Sequence, residues 1–184
     1  MATTTRVPVE AVGAPAIEGH EGKARLLAAV ALAAIVVGVV SVLGGIGGAV
    51  YTYQAAAVEN IVTPGDAVIA EAPVRGPLTM WAQSDIITKH QLEGTEGLRY
   101  AEMERVVPQV DEATGEVVVD EAGEPVMVPN EARSSWLDAT ALTTVLGMGI
   151  LAYAFSAFAV VGGVVLMGLG YVVLQLRKTS AILV

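Results

Sequence analysis

The sequence predicts a mainly α membrane protein: a two-helix transmembrane hairpin whose long helices extend outward and carry a small α+β extracytoplasmic domain. Three observations predict it. Residues 26–58 and 139–176 contain no charged side chain, and each block exceeds the roughly 20 residues that a helix needs to cross hydrocarbon. Basic residues stand beside those blocks, Lys23 and Arg25 before the first, Arg177 and Lys178 after the second. The stretch between the blocks is acidic and carries turn and strand signals in place of continuous hydrophobicity.

Composition agrees with a membrane class. A length of 184 residues would suit one soluble domain, but 54% apolar residues, a mean hydropathy of +0.61 and only 5% aromatics do not describe a globular core. The competing reading of the first block is a cleaved signal peptide, with Ala55-Ala56-Ala57 offering small residues for a peptidase. A signal h-region is much shorter than this block, and the leader before it is too long. Because Lys and Arg resist translocation, the four flanking cations place both termini in the cytoplasm and residues 55–138 outside.

Residues 54–138 hold sixteen acidic residues against five basic ones, a net charge of −11. Such a field repels nucleic acid and anionic headgroups, so nucleic acid is excluded as a partner, while cations or a basic protein surface are not. There is no cysteine, hence no disulfide and no thiolate metal site, although the exported compartment permits disulfides.

In chain order, residues 1–24 read as a flexible cytoplasmic leader with Pro8 and Pro15 and no sustained apolar period. Residues 25–54 form the first span. Tyr51 and Tyr53 mark its outer end, where amphipathic rings sit at headgroup level. Within it Gly38, Ser41, Gly44, Gly45 and Gly48 include a small-xxx-small step at Ser41/Gly45 and a GxxxG at Gly44/Gly48. Small residues allow dense helix packing in lipid, and Ala159/Gly163, then Gly168 and Gly170, match them in the second span. The packing partner is either that second span or another chain. Neither span contains an ionisable residue, which argues against a proton relay, ion pathway or voltage sensor.

The second span covers residues 139–176, and its outer interface falls near Tyr153, about 25 residues before Arg177. Its helix starts earlier, near residue 130: Asn130 is a good N-cap after Pro129, and Glu131 suits the positive helix end. One helix from there to residue 176 is roughly 70 Å long. Its outer third presents Trp136, Leu137, Leu142, Val145 and Leu146 as a docking surface. The first helix is likewise expected to run outward until Thr63-Pro64-Gly65. Residues 177–184 are a short cytoplasmic tail.

In the exported domain, Pro77 suits the first turn of a helix ending near Glu93-Gly94, with Leu78, Trp81, Ile86 and Leu92 as its broken apolar face. Valine-rich runs at 105–110, 116–120 and 125–128, separated by acidic glycine-containing turns, predict a two- or three-stranded meander. Those turns resemble a calcium loop only superficially, because Ala113 and Gly115 occupy ligand positions after Asp111. His90 reads as an ordinary surface or capping histidine.

No nucleophile elbow, P-loop, dinucleotide fingerprint or HExxH occurs, nor any His or Cys pair at ligand spacing. His20 and His90 fall on opposite sides of the membrane. The strings Thr63-Pro64-Gly65-Asp66-Ala67, Ala72-Pro73-Val74-Arg75-Gly76-Pro77, Lys89-His90-Gln91-Leu92-Glu93, Tyr100-Ala101-Glu102-Met103 and Val128-Pro129-Asn130-Glu131-Ala132-Arg133, taken with the two spans, resemble a family of small actinobacterial two-span membrane proteins. Members often carry the label aromatic ring-opening dioxygenase. That chemistry on non-haem iron requires clustered His and carboxylate ligands, which this chain lacks. The resemblance implies an actinobacterial cytoplasmic membrane and a two-span architecture, and transfers no catalytic residue.

The leading expectation is a non-catalytic accessory or scaffold subunit that uses no cofactor or metal. Its partners are other membrane protein subunits, in a hetero-complex rather than a homo-oligomer, and the lipid bilayer. The alternative is a stand-alone extracytoplasmic module that captures a cation, peptide or basic protein. An enzyme would have to rely on carboxylates such as Asp85 or Glu93, and no charged pore-lining stripe supports a channel.

Overall fold

The computed structural model describes residues 17–182, with side chains over residues 22–179. The order is α1 (Ile17–Val58), α2 (Pro77–Gly94), β1 (Val106–Pro108), β2 (Met127–Pro129) and α3 (Glu131–Ile182). The chain is thus mostly helical, with one two-stranded sheet among the described residues. The expected leader lies outside the described residues up to residue 16; residues 17–24 already belong to α1, because Glu18, Glu21, Lys23 and Ala24 are good helix formers.

Two helical stretches, Gly22–Val58 and Glu131–Thr179, are long and apolar enough to cross a membrane. Only 11% of the most apolar window of each is buried, unlike the core helix of a soluble protein. Large side chains such as Val36, Leu43, Phe155 and Phe158 stand on the surface.

The described chain forms two compact units. The first comprises α1 up to Gly44 and α3 from Ala159 onward; the second is Gly45–Phe158. In the first unit the helices are antiparallel and approach backbone to backbone. A Cβ on Gly38 would lie 2.5 Å from the Gly163 carbonyl oxygen, and one on Gly163 would lie 2.5 Å from that of Gly38. At Gly170 the obstacle is the Ala31 carbonyl oxygen, 2.6 Å away. Only a hydrogen fits at these points. The buried positions Ala31 and Gly38 are seven residues apart, as are Gly163 and Gly170, a spacing that keeps a seam facing its partner at 3.5 residues per turn.

The second unit is built on the first turns of α3. Asn130 Oδ1 accepts the Arg133 N–H at 3.2 Å, capping the helix as the sequence predicts, while its Nδ2 donates to the Glu104 carbonyl at 3.0 Å. One turn on, buried Trp136 donates Nε1–H to the Leu98 carbonyl at 3.0 Å. Arg133 Nε–H donates to the Tyr100 carbonyl at 3.2 Å, and its guanidinium lies 3.9 Å from the Tyr100 ring centroid. Gln91 Nε2 donates to the Ser135 carbonyl at 2.9 Å, which ties α2 to α3.

Helix α1 stops at Val58, earlier than Thr63-Pro64-Gly65, because Asn60 takes φ = 52° and turns the chain out of the helix. Buried Thr63 then exchanges two hydrogen bonds with Ala72, accepting its N–H at 2.9 Å and donating to its carbonyl at 3.3 Å. This folds residues 61–74 back on themselves and delivers Val74 into the core. Helix α2 has the expected bounds. Gly76 has no side chain to cap it, so Thr79 Oγ1 accepts the Gly76 N–H at 3.2 Å instead.

Its buried face keeps Ile86 and, half-buried, Leu92 of the expected one and differs in the rest. Met80, Ala82 and Ile86 point inward, whereas Leu78 and Trp81 are exposed, because the core of Val74, Met80 and Leu146 meets the other side of the helix. Of the docking residues expected on α3, Trp136 and Leu146 are covered; Leu137, Leu142 and Val145 are not.

Of the expected two- or three-stranded meander two strands form, the antiparallel pair Val106↔Pro129 to Pro108↔Met127. The 116–120 run contributes isolated bridges, Val110↔Val117 and Val119↔Pro125. Pro108, Pro125 and Pro129 lack N–H donors, which shortens the ladders.

Gly38→Ala is expected to force the helices of the first unit apart, costing about 1–3 kcal/mol, and Gly163→Ala should match it. Gly44→Ala, where a Cβ meets open space, should leave thermal unfolding in detergent unchanged or slightly raised. Trp136→Phe should cost about 1 kcal/mol, the worth of its hydrogen bond, and speed proteolysis of residues 95–105.

Candidate functional site

The expected helix-packing residues divide into those that meet a neighbour and those that do not. Gly38 and Gly163 form the closest approach in the first unit, and Ser41 and Ala159 lie half-buried. In the second unit Gly45 is buried, and a Cβ on Gly48 would lie 2.9 Å from the Ser156 hydroxyl. Gly44 is outside this packing. It lies off the seam between the two helices, because the buried positions on α1, Ala31, Gly38 and Gly45, recur every seven residues. Gly170, one of the small positions expected on the second span, and Ser156 continue the same period on α3, whereas Gly168 faces open space.

Glycines off the seam face open space: Gly44 and Gly47 on α1, Gly147, Gly162 and Gly168 on α3. Each exposes helix backbone that a neighbouring helix can approach closely.

Of the expected interface residues, Lys23, Arg25, Arg177 and Lys178 are exposed near the helix ends. Tyr51 and Tyr53 are exposed too, and the Arg75 guanidinium lies 5.9 Å from the Tyr53 ring centroid. Tyr153 is half-buried against the core, and its hydroxyl donates to the Arg75 carbonyl at 2.6 Å. It holds the 61–76 segment against α3.

An open, mostly apolar groove of about 740 Å³ lies on the second unit, between α1, α2 and α3. Ala55, Ile87, Ala141, Leu142 and Val145 line it, together with the polar residues Thr52, Glu59 and Gln83. Gln83 Oε1 is buried without a hydrogen-bond partner. The groove exists because Leu142 and Val145, expected to be covered, are left exposed.

Several charged groups in the second unit are engaged locally. His90 Nε2 lies 2.7 Å from Asp66 Oδ2 on the surface. This hydrogen bond holds the Asp66 carboxyl below its ordinary range. Asp111 Oδ1 accepts the N–H groups of Ala113 at 2.9 Å and Thr114 at 3.0 Å, and those bonds lower its pKa. Asp120 Oδ1 accepts from Ala122 and Glu124 in the same way. The acidic turns therefore spend these carboxylate oxygens on their own backbone, with Gly115 and Gly123 supplying positive φ. Among the described residues no three His, Cys, Asp or Glu side chains are grouped to hold a metal. Asp85 and Glu93 enter no such cluster.

Compared with known proteins, the chain matches no family model, no curated protein and no solved structure.

With their folded pKa values held down, Asp66 and Asp111 contribute stability that is fully present above pH 3.8, their ordinary value, and lost as pH falls through the lower folded values. In an NMR titration the Ala113 and Thr114 amide shifts should move with a midpoint below 3.8, and Asp111→Asn should abolish that transition.

Proposed function

We propose that the chain is a two-pass protein of an actinobacterial cytoplasmic membrane, with both termini cytoplasmic and residues 55–138 outside, acting as a non-catalytic accessory or scaffold subunit of a larger membrane assembly. One observation carries the reading. After α1 and α3 have used Gly38, Gly163 and Gly170 on each other, Gly44, Gly47, Gly162 and Gly168 still present open backbone on apolar helices.

In hydrocarbon there is little hydrophobic drive between helices, so close packing at small residues is the main attraction on offer. Exposed Trp81 and Leu78 on α2 support an outer domain lying near the headgroups, where amphipathic rings are favoured. The second reading, an extracytoplasmic module for a cation or basic protein, is favoured by the −11 charge of residues 54–138. It ranks behind because several of the carboxylates are already engaged by their own turns.

Orientation is testable because the chain has no cysteine. An impermeant maleimide should label Ala113→Cys in intact cells and Thr179→Cys only after permeabilisation; the reverse pattern would invert the topology. Extraction from the native membrane through a C-terminal tag should bring down a larger enzyme or transporter. A lone chain or pure homo-oligomer would sink the accessory role. Salt-sensitive binding of a basic peptide to the full chain in detergent would then favour the binding module.

A further inference from the structure

Within the second unit, α2 stands on end against α3. Near the start of α2, a Cβ on Gly149 would lie 2.7 Å from the Met80 sulfur; near its end, Gln91 Nε2 donates to the Ser135 carbonyl at 2.9 Å. Ser135 lies 14 residues before Gly149 on α3, roughly 21 Å along the axis. The two helices therefore run antiparallel, and the Pro77 end of α2 is the end nearer Tyr153.

Arg75, two residues before α2, fixes that height twice. Its carbonyl accepts the Tyr153 hydroxyl at 2.6 Å, and its guanidinium lies 5.9 Å from the Tyr53 ring centroid. Tyr53 and Tyr153 are the residues that the sequence places at the outer ends of the two spans. A single residue thus ties both expected boundaries to the first turn of α2.

What α2 presents at that height suits a headgroup layer. Leu78 is 70% and Trp81 49% exposed, one turn apart on the side turned away from the core. Residues 72–84 carry Arg75 and no acid, the longest acid-free run between Glu59 and Asp138 in a segment that is otherwise strongly acidic. Acids return at Asp85, one turn beyond Trp81 on the same face. The apolar, acid-free end of α2 is the end at the expected boundary. A protein partner requires no such coincidence, whereas a phospholipid surface does.

We propose that the first two turns of α2 form a third, non-spanning membrane contact: Leu78 and Trp81 enter the headgroup layer of the outer leaflet, with Arg75 at phosphate level. This contact rests on the membrane reading above and adds to it the end-on pose of α2.

The chain has two tryptophans, Trp81 and Trp136. Trp136 lies 17 residues outward of Tyr153 on α3, roughly 25 Å away, so full-length Trp136→Phe and Trp81→Phe report two separate heights. Each is reconstituted into phosphatidylcholine vesicles whose acyl chains are brominated close to the headgroup. Emission from Trp81 should fall about two-fold, because bromine meets a ring at headgroup level, and that from Trp136 should not change. Should Trp136→Phe misfold by circular dichroism, wild type minus Trp81→Phe gives the same contrast. A nitroxide on Leu78→Cys should be more accessible to oxygen than to a water-soluble nickel chelate, and one on Leu137→Cys, beside Trp136, the reverse.

Equal Trp81 emission in brominated and plain vesicles, equal loss from both tryptophans, or a chelate-accessible label at Leu78→Cys would overturn the proposal. A chain that alkaline carbonate strips from its vesicles loses the membrane reading itself. One that stays in the bilayer with Trp81 unquenched loses only this contact.

Discussion

The rest of the structure depends on the unbroken hydrogen-bond ladder of α3, 52 residues from Glu131 to Ile182. No proline interrupts it, and every carbonyl along its middle is satisfied within the helix. That one element supplies the glycines that face α1 in the first unit. It also supplies the Asn130–Trp136 turns on which the second unit is assembled. A segment with few strands and no disulfide has little to organise it; here the organising surface is a helix that does not need the segment in order to be helical.

The two units are held by different physics. In the first, small residues remove the side chains that would keep two backbones apart, and dispersion between close surfaces does the work. Gly38 and Gly163 are therefore intolerant of even one methyl group, although neither contributes apolar area. In the second, hydrogen bonds to main chain do the positioning: Trp136 to Leu98, Arg133 to Tyr100, Gln91 to Ser135, Tyr153 to Arg75. Loop carbonyls that would otherwise be orphaned are met by side chains from a rigid helix, which orders the loops without a large core.

Two features are left over by this arrangement. The outward glycines of α1 and α3 are one, and the groove with its orphaned Gln83 oxygen is the other. Buried polar atoms in native proteins are nearly always paired. The proposed assembly role draws on the glycines alone.

Composition and charge placement by themselves determined the two long apolar helices, the acidic segment between them, the bounds of α2 and the Asn130 cap of α3. These follow from local rules: apolar run length, the fixed φ of Pro77 and the capping chemistry of a short amide side chain. Which glycines touch was decided only by tertiary structure, because a seam at seven-residue spacing and a motif at four-residue spacing coexist in the same glycine-rich stretch. The inward face of α2 was likewise undecidable locally. Ile86 was legible as inward, but Leu78 and Trp81 are no less apolar than Met80 and Ala82, and what selected between them was the position of Val74, brought back by the Thr63–Ala72 hydrogen bonds across a turn that no periodicity encodes.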